Sequence, residues 1–139
     1  MSRRRQAREL AFRAAYQADV TGDPIERCLQ EILEDLEEEA DHDAREFAGS
    51  LVSTLAQHQP EIDAVVSRIA KNWSLSRMAA TDRSVIRLAA AELLYHVEVP
   101  VRVTLDEAIE IAKKYGMETS GAFVNGILDR LAHDVRSTE

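Results

Sequence analysis

The chain has 139 residues, of which 45% are hydrophobic and 30% are charged, a balance typical of one globular domain rather than of a disordered chain. Its formal net charge is -8, and the single cysteine, Cys28, excludes an intramolecular disulfide and a cysteine-based metal cluster and fits a reducing compartment. Because the sequence contains neither an apolar leader nor an apolar run of about 18 residues, we expect a soluble, cytoplasmic protein without a membrane segment.

The first predicted helix, from about residue 4 to residue 20, combines a stripe of small residues with a cluster of positive charge. Five arginines lie within the first thirteen residues, at positions 3, 4, 5, 8 and 13. Arg8, Phe12 and Tyr16 are four residues apart and form a ridge beside the stripe. Guanidinium groups pair with phosphates, and exposed aromatic rings stack on unpaired bases. The pattern therefore predicts nucleic-acid binding, with single-stranded RNA ahead of duplex DNA.

The segment that follows is strongly acidic. Residues 21–46 carry eleven carboxylates and only two arginines. A helix is predicted from Ile25 to about Leu36, and we interpret the acidic run at residues 37–41 as a solvated helix end and loop. Because carboxylates repel phosphates, we expect the stretch from Glu37 to Asp43 to lie away from the arginine cluster.

Two further helices and a connector complete the first half of the chain. A third helix is predicted to end before Pro60 and a fourth to cover residues 62–69, because proline interrupts helical hydrogen bonding. The connector, residues 71–78, holds the only tryptophan. We expect two of its residues, Trp73 and Leu75, to contact the core.

The second half of the chain contains the most apolar segment. Residues 82–97 are apolar on nearly all sides, which predicts a central buried helix. The pattern from Thr104 to Glu107 predicts a capping box at the start of the next helix, and Gly116 predicts its end. A last helix is predicted over about residues 123–135. The count is about seven helices with no convincing strand or repeat, so the fold class is all-α.

Motifs for enzyme chemistry are missing from the sequence. The four histidines, at positions 42, 58, 96 and 133, do not have metal-ligand spacing with one another or with Cys28. Ser50 follows Gly49 without the strand and second glycine of a nucleophile elbow, and Gly121 and Gly126 lack the residues of a phosphate-binding loop. We therefore expect neither catalytic residues, nor a metal, nor a cofactor.

Three blocks of sequence carry a resemblance to a known family. They are RRRQARELAFRAAYQ, DRSVIRLAAAELLYHVEVPVRVTLDEAIEIAKKYG and SGAFVNGILDRLA. In this order and spacing they resemble NusB, the bacterial transcription antitermination family, from the N-terminus to about Ala132. The resemblance implies two packed three-helix bundles in a single RNA-binding domain over residues 1–139, the first at about 1–70 and the second at about 78–135.

The resemblance also implies a function and partners. Members pair with NusE, a protein of the small ribosomal subunit, and the pair binds the boxA sequence of nascent single-stranded RNA. The complex helps RNA polymerase to resist termination, notably on ribosomal RNA operons, and the family resemblance also admits a homodimer. No enzymatic activity is implied.

Site residues follow from the resemblance position by position. The RNA-binding set comprises Arg3, Arg4, Arg5, Arg8, Met117, Glu118, Thr119 and Phe123, with Arg83 and Arg87 as neighbours. The partner-binding set comprises Tyr16 and Asp82. Ala122 stands where many members have lysine, which removes one potential phosphate contact. The alternative is a helical protein–protein interaction module without intrinsic RNA binding, in which the arginines form only a tail.

Overall fold

The computed structural model describes residues 2–36 and 41–136. Within these residues the chain forms six α-helices, one 3-10 turn and no strand, which confirms the all-α fold and comes close to the predicted count. The acidic residues 37–40 lie outside the described residues. No helix in the described part is long and apolar enough to cross a membrane. The elements are α1 (Arg3–Thr21), α2 (Ile25–Leu36), α3 (His42–Ile69), the 3-10 turn (Leu75–Arg77), α4 (Ala80–Tyr95), α5 (Val101–Tyr115) and α6 (Ser120–Arg136).

The helices form two three-helix bundles, α1–α3 and α4–α6, and α4 joins them by packing against both. Helix α4 packs against α1, α3, α5 and α6, which confirms the predicted central helix. The alanine stripe of α1 is fully buried at Ala7, Ala11 and Ala14, and its short side chains let neighbouring helices approach closely. The boundaries of the domain and of its bundles, near residues 70 and 78, stay predictions.

The predicted break at Pro60 is wrong, because α3 continues through it to Ile69. Proline lacks the N–H that would bond to the carbonyl of Ala56. Both Ala56 and Pro60 are exposed, so water can satisfy that carbonyl. Leu55 and Ile62 are buried on either side of the proline, and their packing keeps the helix continuous.

The predicted capping box at Thr104 is also wrong. Helix α5 begins at Val101, with Pro100 at the preceding cap position, so Thr104 already lies in the first turns of the helix. Its buried hydroxyl donates a hydrogen bond of 2.6 Å to the carboxylate of Glu92 on α4. A buried carboxylate therefore takes the hydroxyl that the sequence pattern assigns to a helix cap.

The two connector residues that were predicted to contact the core are buried to different extents. Leu75, at the start of the 3-10 turn, is buried in the core. Trp73 is 53% exposed, so it is not buried in the core as Leu75 is. Its ring lies nearly perpendicular to that of Phe123 near the start of α6, and Phe123 itself packs partly against the core.

Two glycines end helices for different physical reasons. Gly22 follows α1 with φ of 83°, in the left-handed region that favours glycine. Gly116 follows α5, as predicted, with φ of -96°, which any residue can adopt. A Cβ at this position would lie 2.5 Å from Oγ of Ser120 and 2.7 Å from the carbonyl oxygen of Ala112. Close approach of the chain therefore requires glycine here.

The cysteine lies inside the first bundle. Cys28 on α2 is fully buried. Burial raises the pKa of its thiol, and the negative charges of Asp23 and Glu31 act in the same direction. The thiol therefore stays protonated and unreactive in the folded protein.

Candidate nucleic-acid interface

Three exposed arginines, Arg3, Arg4 and Arg5, form the first turn of α1. Ser2 caps this turn, since its hydroxyl oxygen accepts a hydrogen bond of 3.1 Å from the backbone N–H of Arg5. No acidic residue stands in the first turn. The turn thus adds three guanidinium groups to the partial positive charge of a helix N-terminus, which favours an anion.

The acidic stretch lies beside this cluster, so the expectation that it lies elsewhere is wrong for the described part. Arg3 donates to Asp43 at 3.1 Å, and its Nε lies 3.5 Å from the carboxylate of Asp41. The Arg3 side chain is 67% exposed, so water screens both contacts. The physical reason is intramolecular attraction: without RNA, carboxylates are the anions available to Arg3.

The other two arginines have different partners. The guanidinium carbon of Arg4 lies 3.7 Å from the ring centroid of Phe47, a cation–π contact. Arg5 binds Glu107 of α5 through two hydrogen bonds, of 2.9 and 3.0 Å. This paired geometry raises the pKa of Arg5 above its usual value. All three arginines can exchange these contacts for phosphate oxygens, because all three remain accessible.

Arg8 differs from the other arginines because it is only 5% exposed. It donates to both carboxylate oxygens of Glu92, at 2.9 and 2.6 Å, and Thr104 completes the network. In this conformation the Arg8 guanidinium ties α1 to α4, and an RNA phosphate could reach it only if the pair opened. Its assignment to the RNA surface stays a prediction.

A line of contacts joins α1 to α5 along their shared edge. Glu9 accepts hydrogen bonds from Lys114 at 3.0 and 3.1 Å and from the Tyr115 hydroxyl at 3.3 Å. The Glu9 bond raises the pKa of Lys114. The ring of Phe12 lies 5.0 Å from that of Tyr115. The contacts start at Arg5 and end where α5 gives way to the loop before α6, so the arginines and this loop belong to one surface.

The loop and the first turn of α6 carry the remaining residues of the predicted RNA set. Met117 is 69% exposed, and Glu118 and Thr119 are exposed as well. Oγ of Ser120 accepts the N–H of Met117 at 2.9 Å, which holds the loop in place. Phe123 is half-buried and packs partly against the core. The loop thus presents flexible, polar and aromatic side chains together.

Arg83 and Arg87 lie away from the α1 arginines, in an ionic cluster at the other end of α1. Arg83 binds Asp19 at 2.6 Å and donates to the backbone carbonyl of Leu75, which holds the connector. Arg87 bridges Asp19 and Asp63. Burial disfavours the charged form of Asp19, but the hydrogen bonds from both arginines outweigh it and lower the Asp19 pKa. Their contacts with carboxylates give these arginines a structural role, and their role in RNA binding stays a prediction.

The two predicted partner-binding residues flank this cluster. Tyr16 is 38% exposed and its ring lies parallel to that of Phe12 at 6.3 Å. Asp82 is half-buried in the first turn of α4, and its Oδ1 is buried with no hydrogen-bond partner among the described residues. A buried carboxylate oxygen without a partner is costly, and a donor from a second protein would relieve that cost.

Residues to which the sequence analysis gave no role in binding contribute to this surface. Glu107, Glu9, Lys114 and Tyr115 all connect α1 to α5, across about a hundred residues of sequence. Helical periodicity identifies the faces of these helices but does not pair one helix with another. Among the described residues no group of three or more potential metal ligands comes together.

The fold and the surface define a small all-helical protein with a basic helix end beside an aromatic loop, and three comparisons identify its family. The NusB family model matches residues 5–133. The transcription antitermination protein NusB of Anaeromyxobacter dehalogenans (strain 2CP-1) is 46% identical over 131 residues, which cover 94% of this chain and 91% of that protein. The protein of the same name from Geobacter sulfurreducens is 43% identical over 132 residues and covers 95% of both chains.

Solved structures agree with the sequence comparison. The structure of T. maritima NusB is 43% identical and has a TM-score of 0.88, covering 96% of this chain and 92% of that one. A structure of antitermination factors NusB and NusE in complex with double-stranded RNA matches with 30% identity and a TM-score of 0.88, covering 96% and 98%. The chain belongs to the NusB family of transcription antitermination proteins. The family predicted from the three sequence blocks is confirmed.

Proposed function

We propose that this protein is a non-enzymatic adaptor in the bacterial cytoplasm, which binds boxA RNA together with NusE and joins the antitermination complex of RNA polymerase, notably on ribosomal RNA operons. One observation carries the RNA-binding part of the proposal. The exposed arginines of α1 and the loop before α6 lie on one continuous surface, linked by the contacts between α1 and α5.

Within this surface the two ends have different tasks. Arg3, Arg4 and Arg5 bind phosphates, because they combine exposure with the N-terminal end of a helix. The loop residues contact bases. From Glu107 to Met117 the α5 axis and loop extend about 15 Å, at 1.5 Å per residue. An extended strand of a few nucleotides is long enough to contact both ends.

A second protein completes the proposed complex. Tyr16 and Asp82 are the proposed contacts to NusE, supported by the exposed ring of Tyr16 and the unsatisfied buried oxygen of Asp82. Val20, one turn after Tyr16 on α1, is 61% exposed and extends the exposed surface that Tyr16 offers to a partner. A homodimer that covers the RNA surface without NusE belongs to the same proposal.

The experiment that tests the proposal measures binding of a fluorescein-labelled, boxA-type single-stranded RNA by anisotropy, with and without NusE, over a range of salt. We expect tighter binding with NusE and preference over a scrambled strand. Each of Arg3→Ala and Arg5→Ala should reduce the salt slope by about 0.7 for each phosphate of a single strand that the variant no longer neutralises. The matched control is Arg27→Ala, which removes an exposed arginine in an ion pair on α2.

Two outcomes would contradict the proposal. Failure of the RNA to bind, with or without NusE, while NusE still binds, would leave the alternative of a protein-interaction module. Preference for a hairpin duplex of the same sequence would replace single-stranded recognition, and the similar NusB–NusE structure with double-stranded RNA makes this comparison necessary.

A further inference from the structure

The only tryptophan of the chain lies at the surface beside the proposed base-contacting loop. Trp73 is 53% exposed, and its ring centroid lies 5.8 Å from that of Phe123, with the two planes at 79°. The backbone N–H of Trp73 donates to the carbonyl of Ala70 at 3.0 Å, which fixes the start of the connector. We call this perpendicular pair, Trp73 and Phe123, the aromatic corner.

Two lysines next to residues of the aromatic corner contribute positive charge that attracts a polyanion. Lys71, two residues before Trp73, is exposed and forms no ion pair within the described residues. The stem of Lys113 packs against Gly121, two residues before Phe123, where an added Cβ would lie 3.2 Å from Cγ of Lys113. The ammonium group of Lys113 also has no carboxylate partner in the described part of the chain. Unlike Arg3 and Arg5, these two lysines can bind phosphates without first leaving a carboxylate.

We infer that the aromatic corner is a stacking site for one unpaired RNA base, with Lys71 and Lys113 placed for the flanking phosphates. A base that lies parallel to one ring presents its edge to the other, so a perpendicular pair holds a flat ring on two sides. The inference rests on the proposed function and deepens it. It adds Trp73, which lies at the loop end of the proposed surface, opposite the α1 arginines.

The same labelled RNA, bound to the full chain, tests the inference through two independent signals. Because Trp73 is the only tryptophan, all tryptophan emission comes from the proposed site, and RNA should quench it. Trp73→Ala should weaken binding roughly 5- to 150-fold, the range expected for one base–aromatic stack, without changing the salt slope. Trp73→Phe should recover most of the affinity, because it keeps a ring.

The control is Val97→Ala, which shortens another exposed apolar residue. Val97 follows the far end of α4, about 25 Å from the connector along a helix axis of this length. Its RNA affinity should equal that of the wild type. Circular dichroism melting of each variant shows whether weaker binding comes from unfolding or from removal of the ring. The quenching measurement uses only wild-type protein, so it does not depend on the folding of a variant.

Three other results would refute either the stacking site or the proposed function. If RNA binds by anisotropy while Trp73 emission and Trp73→Ala affinity are unchanged, the stacking site is refuted and the proposed function stands. Quenching by NusE without RNA would assign the aromatic corner to the protein partner and refute the inference. If wild-type protein does not bind RNA under any of these conditions, the proposed function itself fails.

Discussion

Removing the two carboxylates beside Arg3 should strengthen RNA binding. The double substitution Asp41→Asn and Asp43→Asn removes both charges. Each carboxylate lies within 3.5 Å of the Arg3 guanidinium. Asparagine at position 41 can still cap α3, where the Asp41 side chain accepts the N–H of Asp43 at 2.8 Å. The change therefore removes charge and leaves the helix start intact.

The magnitude follows from the geometry. A phosphate bound to Arg3 would lie roughly 6 Å from each carboxylate, since each partner sits about 3 Å from the guanidinium. At that separation in water each repulsion costs about 0.7 kcal/mol. The two carboxylates together should reduce RNA affinity about tenfold at low salt. At 0.1 M salt, where the Debye length is about 10 Å, the reduction should be about threefold.

The assay is RNA anisotropy over a salt series, with Glu26→Gln and Glu61→Gln as the control pair. These substitutions change the net charge by the same amount. Glu26 lies at the start of α2, beyond the end of α1 that is farthest from Arg3, and α1 is about 28 Å long. Glu61 lies a similar distance along α3 from the carboxylates beside Arg3. The double variant should bind more tightly, with the gain shrinking as salt rises. An equal gain in the control would show that net charge alone is responsible. No gain in either variant would show that the two carboxylates do not compete with a phosphate for Arg3.

Three further predictions concern the folded state. Glu92→Gln leaves the buried charge of Arg8 without its counter-ion and should lower the free energy of unfolding by about 3 kcal/mol in urea. Asp19→Asn should lower Tm at pH 7, because the Asp19 pKa is depressed. The difference should begin to shrink as pH falls below 3.8, where the unfolded carboxylate gains a proton, and should vanish only below the depressed pKa of the native carboxylate. Gly116→Ala should destabilise by about 1–3 kcal/mol, since the added Cβ meets backbone at 2.7 Å.

Each of these has a matched control. Glu107→Gln breaks the exposed pair with Arg5 and should change the unfolding free energy far less than Glu92→Gln. Gly126→Ala, inside α6 with nothing within 4 Å of the new Cβ, should stabilise by about 0.5–1 kcal/mol. Equal effects at Gly116 and Gly126 would contradict the close contact at Gly116. A Tm difference for Asp19→Asn that does not shrink below pH 3.8 would contradict the depressed pKa of Asp19.

Local pattern was sufficient for most of the fold. Apolar spacing identified α4 as the central helix, and the alanine stripe identified the buried face of α1, because both depend on which side chains can leave water. The predictions of a helix break at Pro60 and of a capping box at Thr104 were wrong for the opposite reason. Their conformations depend on partners far along the chain, namely the packing on both sides of Pro60 and the carboxylate of Glu92.

The site was less accessible to sequence reasoning. The arginine cluster could be predicted from the composition of the first thirteen residues. The burial of Arg8 could not, because it depends on Glu92, which lies 84 positions later. The nearness of Asp43 to Arg3, 40 positions apart, likewise depends on how α3 meets α1. Long-range ion pairs leave no periodic pattern in a single sequence. A count of charges therefore predicts whether a surface is positive or negative, but not which of its charged groups are paired with groups from elsewhere in the chain.

The buried thiol of Cys28 can report how often the first bundle opens. A thiol reagent can modify this single cysteine only during openings of α2, so the labelling rate under native conditions reports the free energy of that opening. RNA and NusE contacts centred on α1 and α4 would slow labelling only if they also stabilise α2. Labelling kinetics would therefore show whether the bundle that carries the arginines closes as one cooperative unit when the complex assembles.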